Sequence, residues 1–452
     1  MTKRAAIILA AGQGTRMRSS LPKVLHAVGG KAMIDWSVDL AKRAGCETII
    51  VVTSPNASQV GEHVLAVDAT VSIATQDPPL GTGHAVQSAQ EALAGFSGHA
   101  VVLYGDTPLI QSDAIDALFA QLEAGADLGV LGFHADDPGA YGRLVTDPSG
   151  DLKAIVEARD ASDEQLRITL CNSGVMAGRA DRLFELLDQI SNDNAKGEYY
   201  LTDIVGISNG EGRRSAIIEC PESDVLGVNS RVELASAEAA FQDRFRTHLL
   251  QQGVTMTAPE TVFFSHDTLI EADVTIEPHN VFAPGVQIAS GCRIRSFCHL
   301  EGASVAEDCE IGPYARLRPG TRLEAGVKIG NFVEVKKTKM GAGAKANHLA
   351  YLGDGDVGAG ANIGAGTVFC NYDGFFKYQT VIGEGAFIGS NSALVAPVKI
   401  ADGAYIGSGS VVTEDVEADS LAIGRARQTG KAGWASGFRD RMLQLKKANS
   451  SK

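Results

Sequence analysis

The sequence contains no apolar stretch long enough to cross a membrane. Its longest strictly apolar run is Ala5–Gly12, whereas a spanning helix needs about 20 such residues. The run follows two basic residues, as a secretory signal would, but Gln13, Arg16 and Arg18 interrupt what comes next and no small-residue cleavage site follows. We therefore expect neither a membrane span nor a secretory signal.

An excess of basic charge and a disulfide-type cysteine pattern are also missing. With 40 Lys and Arg against 54 Asp and Glu, the formal net charge is −14, which disfavours general binding to nucleic acids and anionic membranes. The seven cysteines are odd in number and include no Cys-x-x-Cys pair, a pattern typical of free thiols in a reducing compartment. We predict a cytoplasmic protein with no nucleic-acid or membrane partner.

Aromatic residues are scarce at 6%, whereas glycine is abundant at 51 of 452 residues, above the ~7% that is typical. Proline numbers only 14, so this is not the Pro/Gly-rich composition of a disordered chain. Hydrophobic residues make up 44% and charged residues 21%, which suits a globular protein with large cores. The length exceeds that of one ordinary domain, so we expect two or three.

Short apolar runs alternate with helical patterns up to about residue 228. The runs that we predict as buried parallel strands, because their apolar residues are continuous, are Ala5–Ala10, Thr48–Val52, Val71–Ile73 and Ala100–Tyr104. Helical patterns lie near 33–44, 56–66, 83–94 and 112–124. This alternation predicts a doubly wound α/β sheet, which binds its ligands beyond the carboxyl ends of the strands.

A single long helix is predicted next, over Ser230–Gln252. Ser230 and Glu233 have the spacing of a capping box, and Gly253 is a suitable residue to end the helix. We interpret this helix as an arm that joins two domains.

A six-residue period begins after Gly253. Its repeated apolar residues are Ile276, Phe282, Ile288, Ile294, Leu300, Val305, Ile311, Leu317, Leu323, Ile329, Val335, Val357, Ile363, Phe369, Ile382, Ile388, Leu394, Ile400, Ile406 and Val412. This period predicts a parallel β-helix of about seven coils, in which each hexapeptide forms one short strand and one turn. Two interruptions, Lys336–Tyr351 and Cys370–Thr380, are candidate functional loops.

A glycine-containing loop, Leu9–Met17, follows the first predicted strand. Such a loop exposes backbone N–H groups to phosphates, and Arg16 and Lys23 add positive charge. Met17 replaces the third glycine of a dinucleotide fingerprint, and no Gly-Lys-Ser/Thr follows as in a P-loop. Asp106 ends another strand, where a carboxylate can bind Mg²⁺ on a triphosphate or simply cap a turn.

These motifs resemble the signature of sugar-phosphate nucleotidylyltransferases. With the hexapeptide half, the chain from about residue 5 to 430 resembles the bacterial bifunctional N-acetylglucosamine-1-phosphate uridyltransferases/glucosamine-1-phosphate acetyltransferases. The resemblance implies UTP and UDP-N-acetylglucosamine binding at Leu9, Ala10, Ala11, Gly12, Lys23, Gln76, Gly81, Thr82, Tyr104, Gly105, Asp106, Gly142, Glu157, Asn172 and Asn229. It also implies that Arg16 and Lys23 are catalytic and that Asp106 and Asn229 are Mg²⁺ ligands.

A second group of motifs lies on the solenoid. His348 stands among basic residues of the larger interruption, which suits an anionic sugar phosphate. The resemblance makes His348 the general base that deprotonates the glucosamine amino group for attack on the acetyl-CoA thioester. It implies glucosamine-phosphate binding at Arg318, Lys336, Tyr351 and Asn362, and acetyl-CoA binding at Ala365, Asn371, Tyr372, Ser390, Ser408 and Arg425. Nothing in the sequence marks Cys370 as an activated thiol.

The resemblance further implies a homotrimer, a left-handed solenoid and four segments. These are a uridylyltransferase domain over 1–229, a linker helix over 230–252, a hexapeptide-repeat acetyltransferase domain over 253–437 and a basic, disordered tail over 438–452. Two alternatives stay open: a one-activity nucleotidylyltransferase with a structural hexapeptide tail, as in ADP-glucose enzymes, and a non-catalytic regulatory protein built on the same two folds.

Overall fold

The computed structural model describes residues 2–450. They form two compact units, one of Met1–Leu249 with Phe264–His266 and one of Leu250–Phe263 with Asp267–Lys452. Phe264–His266, which lie beyond the predicted domain boundary at residue 253, thus belong to the first unit. In the described part of the chain, no helix combines the length and the apolar character that crossing a membrane requires.

The first unit is built on a nine-stranded sheet. Its strands, with a separate two-stranded ribbon of β2 and β3, are β1 (Lys3–Leu9), β2 (Ala27–Val28), β3 (Lys31–Ala32), β4 (Thr48–Thr53), β5 (Ser72–Thr75), β6 (Gly98–Tyr104), β7 (Leu128–His134), β8 (Arg143–Thr146), β9 (Leu152–Val156), β10 (Leu170–Arg179) and β11 (Ser215–Glu219). The order in the sheet is β5-β4-β1-β6-β10-β7-β11-β9-β8. Strands β5, β4, β1 and β6 are parallel, whereas β10 runs antiparallel to both β6 and β7. All four predicted strands are present and parallel, but β5 lies at the edge of the sheet and none of its residues is buried, so the prediction of burial is wrong for this strand.

Helices cover this sheet. They are α1 (Met33–Arg43), α2 (Ser58–Val67), α3 (Thr82–Gln87), α4 (Ser112–Glu123), α5 (Ala180–Leu187), α6 (Asp203–Gly210) and α7 (Arg231–Gln251). Successive buried residues of β1 point to opposite faces of the sheet, so Ala6 and Ile8 join one hydrophobic cluster and Ala5 and Ile7 join another. Two cores therefore flank the sheet, as expected for a doubly wound fold. Of the predicted helix over 83–94 only the first part is α-helical, and the sequence continues through turns and a short 3₁₀ segment.

The long helix α7 confirms the helix predicted over Ser230–Gln252. Ser230 Oγ accepts a hydrogen bond from the Glu233 N–H at 3.3 Å, and the Glu233 carboxylate accepts one from the Asn229 N–H at 2.7 Å. The cap therefore also fixes the backbone of Asn229. Further along, Ala237 and Phe241 are buried in a hydrophobic cluster of the first unit, so this part of the helix packs as an integral element of that unit.

The second unit is a solenoid of short parallel strands. A ten-stranded sheet follows the order β12-β15-β18-β21-β24-β26-β28-β31-β34-β36, and the remaining strands form a fifteen-stranded sheet. The strands are β12 (Thr255–Met256), β13 (Phe263–Phe264), β14 (Leu269–Ile270), β15 (Thr275–Ile276), β16 (Val281–Phe282), β17 (Gln287–Ile288), β18 (Arg293–Ile294), β19 (His299–Leu300), β20 (Ala303–Val305), β21 (Glu310–Ile311), β22 (Arg316–Leu317), β23 (Thr321–Leu323), β24 (Lys328–Asn331), β25 (Glu334–Met340), β26 (Lys345–His348), β27 (Tyr351–Val357), β28 (Asn362–Ile363), β29 (Val368–Cys370), β30 (Thr380–Ile382), β31 (Phe387–Ile388), β32 (Ala393–Val395), β33 (Val398–Ile400), β34 (Tyr405–Ile406), β35 (Val411–Val412) and β36 (Leu421–Ala422).

The repeated apolar side chains stack inside the solenoid. Ile276, Ile294, Ile311 and Ile329 are register partners on successive coils, and all are buried. Strand pairing extends from β12 to β36 on this face, so the solenoid is longer than the seven coils expected. At the N-terminal end the buried Phe264 and Ile270 keep the six-residue spacing before Ile276 but were not counted in the repeat. At the C-terminal end the spacing breaks, because the buried Val416 follows Val412 after only four residues.

The predicted interruption over Lys336–Tyr351 is wrong. Met340, Ala346 and Leu352 are buried at inward positions of β25, β26 and β27, so the coil continues through this segment. A five-residue step and the small side chain of Ala346 hide the repeat in the sequence. The second interruption, Cys370–Thr380, is a true loop, which is held by an isolated bridge between Tyr372 and Lys377.

The basic tail differs from the expectation of disorder. Helix α8 (Trp434–Ser450) spans most of it, and each of its residues is exposed. Its second half contains Met442, Leu443, Leu445 and paired lysines, which are favourable helix formers. The helix propensity of these residues outweighs the effect of the net basic charge.

Candidate active sites

The glycine loop closes on Lys23. Gly14 has φ +59°, and a Cβ at this position would lie 2.6 Å from the Cβ of Lys23, so a side chain here would push the two apart. Strand β1 enters the loop with its end fixed, because the Ala10 N–H donates to the Val52 carbonyl at 2.8 Å. The loop therefore holds Lys23 beside the carboxyl end of the parallel strands.

Lys23, Asp106 and Asn229 converge although they are far apart in the sequence. The Lys23 Nζ pairs with the Asp106 carboxylate and donates to Asn229 Oδ1 at 3.0 Å. The Asn229 segment is tied to the Asp106 strand end by a bond from the Val228 N–H to the Asp106 carbonyl at 2.9 Å. Both predicted metal ligands thus face one position, which the ammonium group occupies.

That pair of oxygens fits a divalent cation. A carboxylate and an amide carbonyl are the kind of donors that Mg²⁺ prefers, and the Lys23 ammonium shows that both oxygens already point at a cation. Within residues 2–450 no cluster of three or more His, Cys, Asp or Glu is arranged to hold a metal ion. A bound ion would therefore complete its coordination with water and substrate phosphates, as Mg²⁺ commonly does.

A cavity of about 440 Å³ opens beside these residues. The predicted nucleotide-binding residues that line it are Leu9, Ala10, Ala11, Gly12, Lys23, Gln76, Gly81, Thr82, Tyr104 and Asp106. The Gln76 amide is oriented by a bond from Nε2 to the Gly81 carbonyl at 2.9 Å, and the Gly105 N–H donates to the Leu9 carbonyl at 3.0 Å. The structure thus brings together segments that follow three parallel strands, β1, β5 and β6.

Of the predicted sugar-binding residues, only Glu157 lines a second cavity of about 440 Å³, which Arg16 also lines. Gly142 and Asn172 lie next to Glu157, since a Cβ at Gly142 would be 3.7 Å from both Glu157 Oε1 and Asn172 Cβ. The Asn172 N–H donates to the Gly142 carbonyl at 2.8 Å. Burial raises the pKa of the Glu157 carboxyl, whereas the Lys196 ammonium lowers it. Burial, with smaller contributions from the Asp106 and Glu157 carboxylates, raises the pKa of the Tyr104 phenol, so this group stays protonated and can donate.

The segment from Lys196 to Tyr200, which no sequence motif indicated, borders both cavities. Lys196 and Tyr200 line the cavity that contains Glu157, and Glu198 lines the cavity beside Lys23. The segment is anchored because the Tyr199 N–H donates to the Leu80 carbonyl at 2.8 Å. Its only signal in the sequence is a charged and aromatic run around Gly197, which follows no strand end.

In the second unit, His348 is exposed at the end of β26. Its Nδ1 lies 2.7 Å from Asn331 Oδ1, and the two residues are register partners on adjacent coils. Since an amide oxygen only accepts, this contact puts a proton on Nδ1, so that in the neutral imidazole Nε2 is the nitrogen with a free lone pair. Asn331, which belongs to the motif Asn331–Lys336 but had no role assigned from the sequence, thus orients the His348 ring.

Three predicted acetyl-CoA residues continue the same column above His348. The Gly366 N–H donates to the His348 carbonyl, the Asn391 N–H to the Ala365 carbonyl and the Gly409 N–H to the Ser390 carbonyl. Registers of β26, β28, β31 and β34 place Ala365, Ser390 and Ser408 at equivalent positions of successive coils. Arg425 lies beside this column, because a Cβ at Gly409 would be 3.6 Å from its Cδ.

The next face, which β22, β25, β27 and β29 form, carries the predicted residues Arg318, Lys336, Tyr351 and Asn371. The Arg318 guanidinium pairs with the Glu334 carboxylate at 2.7 Å, and Glu334 is the register partner of Tyr351. The nearby Lys377 ammonium lowers the pKa of Lys336. Two cations with little opposing charge suit an anionic ligand.

Gly353 makes room at this cluster. A Cβ there would lie 2.5 Å from the Tyr351 hydroxyl and 2.8 Å from Asn371 Nδ2. The buried Asn371 amide also donates to Asp354 Oδ2 at 2.5 Å. By contrast, Tyr372 is exposed and bonds only locally, from its hydroxyl to the Gly374 carbonyl, and Asn362 lies at the start of β28, paired with Lys345.

Both units match known protein families. Residues 6–171 match a MobA-like NTP transferase domain, and residues 379–414 match the bacterial transferase hexapeptide (six repeats). The first unit is therefore an α/β nucleotidyltransferase domain, and the second is a left-handed parallel β-helix of the hexapeptide type. Nucleotidyltransferases of this kind generally use a divalent metal ion, and hexapeptide-repeat domains typically form trimers.

Curated relatives extend the match over nearly the whole chain. The chain is 60% identical over 449 residues to bifunctional protein GlmU of Hyphomonas neptunium, covering 99% of the chain and 97% of that relative. It is 58% identical to bifunctional protein GlmU of Rhizorhabdus wittichii, covering 99% of each, and 56% identical to that of Maricaulis maris, covering 96% of each. The chain belongs to the bifunctional GlmU family of acetyltransferase/uridyltransferases.

Proposed function

We propose that the two units carry out two consecutive reactions at the residues described above. The second unit transfers acetyl from acetyl-CoA to glucosamine 1-phosphate, and the first joins the product to UTP, which yields UDP-N-acetylglucosamine and pyrophosphate. The observation that carries this proposal is the presence of two separate polar groups, one around Lys23, Asp106 and Asn229 and one around His348 and Asn331.

The uridylyl reaction needs positioning and charge neutralisation. The sugar-phosphate oxygen attacks the α-phosphorus of UTP in line, and pyrophosphate leaves, so no protein nucleophile is required. Leu9–Gly12 and Gln76 hold the base and ribose, while Arg16 and Lys23 neutralise the phosphates. Gly142, Glu157 and Asn172 bind the sugar, supported by a Tyr104 hydroxyl that stays protonated. Asp106 and Asn229 would hold Mg²⁺, which stabilises charge on the phosphates when bound.

The acetyl reaction needs a base and an oriented amine. The unprotonated Nε2 of His348 takes a proton from the glucosamine amino group, and the freed nitrogen attacks the thioester carbonyl. Arg318, Lys336, Tyr351 and Asn362 bind the sugar phosphate. Ala365, Asn371, Tyr372, Ser390, Ser408 and Arg425 bind acetyl-CoA, for which the column above His348 offers an extended track of several coils.

The active solenoid is a homotrimer in this proposal. His348, Tyr372, Ser390 and Ser408 are all exposed in the single chain, so one chain alone gives the coenzyme little enclosure. Sedimentation at micromolar concentration checks this, and a monomer that still acetylates would contradict it.

UTP and acetyl-CoA are cytoplasmic metabolites, and the seven cysteines carry no disulfide, which supports a cytoplasmic location.

A coupled assay tests the proposed function. Purified protein is given glucosamine 1-phosphate, acetyl-CoA, UTP and Mg²⁺, and thiol release is followed together with pyrophosphate release. We expect both signals, with pyrophosphate dependent on acetyl-CoA when the sugar is supplied without an acetyl group. Pyrophosphate release without thiol release, from N-acetylglucosamine 1-phosphate only, would favour a single-activity nucleotidylyltransferase.

A further inference from the structure

A third cavity, of about 460 Å³, lies in the first unit away from the proposed uridylyl-site residues. Its walls come from α1, from the segment 108–111 and from α7, together with His266. Trp36 packs edge-on against Phe241 with ring centroids 5.7 Å apart and against His266 at 5.9 Å, and Phe241 lies 5.5 Å from Phe245. The cavity therefore has an aromatic lining and the size of a small-molecule pocket.

The ionisable side chains that line this cavity are all basic. Arg43, Arg244, His248 and His266 line it, and none of the described lining residues is acidic, although the whole chain carries −14. Arg244 is fixed by bonds to the Leu109 carbonyl at 2.8 Å and to the Asp224 carboxylate at 2.6 Å. The Arg43 and His248 side chains are exposed, and within residues 2–450 neither has an ion pair. The Arg43 and His248 side chains are thus available as hydrogen-bond donors to a ligand.

From this combination we infer a binding site for a small aromatic anion, a planar ring that bears a carboxylate or a phosphate. The ring would pack among Trp36, Phe241 and Phe245, where edge-to-face contacts are favourable. The anionic group would lie at the rim, where Arg43 and His248 donate charge-assisted hydrogen bonds. A neutral ring would leave the Arg43 guanidinium without a counter-ion, so the charge is needed for tight binding.

This cavity is connected to the uridylyl site by packing. Its residues Leu109 and Phe241 belong to a hydrophobic cluster that also contains Met17 and Val228. Met17 ends the glycine loop, and Val228 precedes Asn229 while bonding to the Asp106 carbonyl. A ligand that shifts Leu109 or Phe241 would thus alter the geometry around Lys23 and Asp106. This regulatory part rests on the proposed function, whereas the binding site does not.

Tryptophan fluorescence tests the site directly. The chain contains two tryptophans, so Trp434→Phe in the full-length protein leaves Trp36 as the single reporter inside the cavity. We expect 4-biphenylcarboxylate to change the Trp36 emission saturably, and the neutral 4-biphenylmethanol to bind at least about tenfold more weakly. Unchanged emission, or equal binding of the neutral compound, would overturn the inference.

Variants at the rim complete the test. Arg43→Gln with His248→Gln should weaken 4-biphenylcarboxylate binding about tenfold, whereas Arg213→Gln, at an exposed residue outside the cavity, should not. Binding that is insensitive to the rim variants would refute the site. At saturation the probe should change the KM or kcat of uridylyl transfer but not acetyl transfer. Binding without that change would refute the regulatory part, and absent uridylyl activity would instead count against the proposed function.

Discussion

The two candidate sites are built in opposite ways. The first lies at the carboxyl ends of parallel strands, and its groups come from segments spread between Leu9 and Asn229 that hydrogen bonds lock together. The second lies on the exposed corners of a solenoid, and its column from Asn331 to Ser408 is set by strand register alone.

This difference decides where each site is sensitive. In the first site, one side chain such as Lys23 joins several distant elements, so a substitution there disturbs binding, charge and packing together. In the second, each coil positions its own residue, and neighbouring coils remain in place when one side chain is removed. We therefore expect sharper and more separable effects on acetyl transfer than on uridylyl transfer.

The largest effect is expected for His348→Ala. Removing the general base should lower kcat for acetyl transfer by about 10²–10⁴-fold and leave uridylyl transfer unchanged. Thiol release measures the first activity and pyrophosphate release the second. His299→Ala, at an exposed histidine of the same solenoid, is the matched control and should keep both. Acetyl transfer within a factor of two of wild type would exclude His348 as the base.

The next effect is expected for Asp106→Asn. An amide binds Mg²⁺ less well than a carboxylate, so uridylyl transfer at low Mg²⁺ should fall by about a hundredfold, while acetyl transfer stays normal. Raising Mg²⁺ should restore part of the rate. The exposed Asp116→Asn serves as control. A variant with wild-type rate and wild-type Mg²⁺ dependence would remove Asp106 from the metal site.

A smaller effect is expected when the partner of His348 is changed. Asn331→Ala should lower kcat for acetyl transfer about tenfold, because the imidazole loses the bond that fixes its tautomer. Asn331→Asp should recover much of kcat, but its carboxylate favours the protonated imidazole. The acid limb of the rate–pH profile should then move to higher pH, a shift that damaged folding would not produce. An unmoved profile would argue against the positioning role.

The smallest effect is expected for Glu157→Gln. Burial raises the pKa of this carboxyl, so it ionises less readily in the folded than in the unfolded state. As the pH rises between the unfolded and the folded pKa values, Glu157 therefore lowers the stability of the fold. The amide removes this penalty, and the Tm should rise by a few degrees at neutral pH but not at acidic pH. The KM for N-acetylglucosamine 1-phosphate should increase several-fold. An unchanged KM would contradict sugar binding by Glu157.

The same contrast explains what could be predicted from the sequence. Local patterns located the strands at Ala5, Thr48, Val71 and Ala100, the cap at Ser230 and the six-residue period, because each depends on neighbours in the chain. The continuation of the coil through Met340 and Ala346 was missed, since a shortened step and a small side chain conceal an inward position.

Long-range contacts set the limit in the first unit. The resemblance selected Lys23, Asp106 and Asn229, but no local pattern shows that the Lys23 ammonium bridges the other two. Likewise, Lys196 and Glu198 reach the cavities only through the tertiary fold. Asn331 could have been found by aligning the coils, because it lies one coil below His348.

The central claim is that the two activities work independently of each other, one in each unit. Mixing two full-length variants, Asp106→Asn and His348→Ala, tests it most directly, with glucosamine 1-phosphate, acetyl-CoA and UTP as substrates. Each variant alone should form almost no UDP-N-acetylglucosamine. An equal mixture should recover close to half of the wild-type rate, because the acetylated intermediate diffuses from one protein to the other. A mixture as inactive as its components, although each variant keeps its single intact activity, would contradict independent sites that exchange a free intermediate.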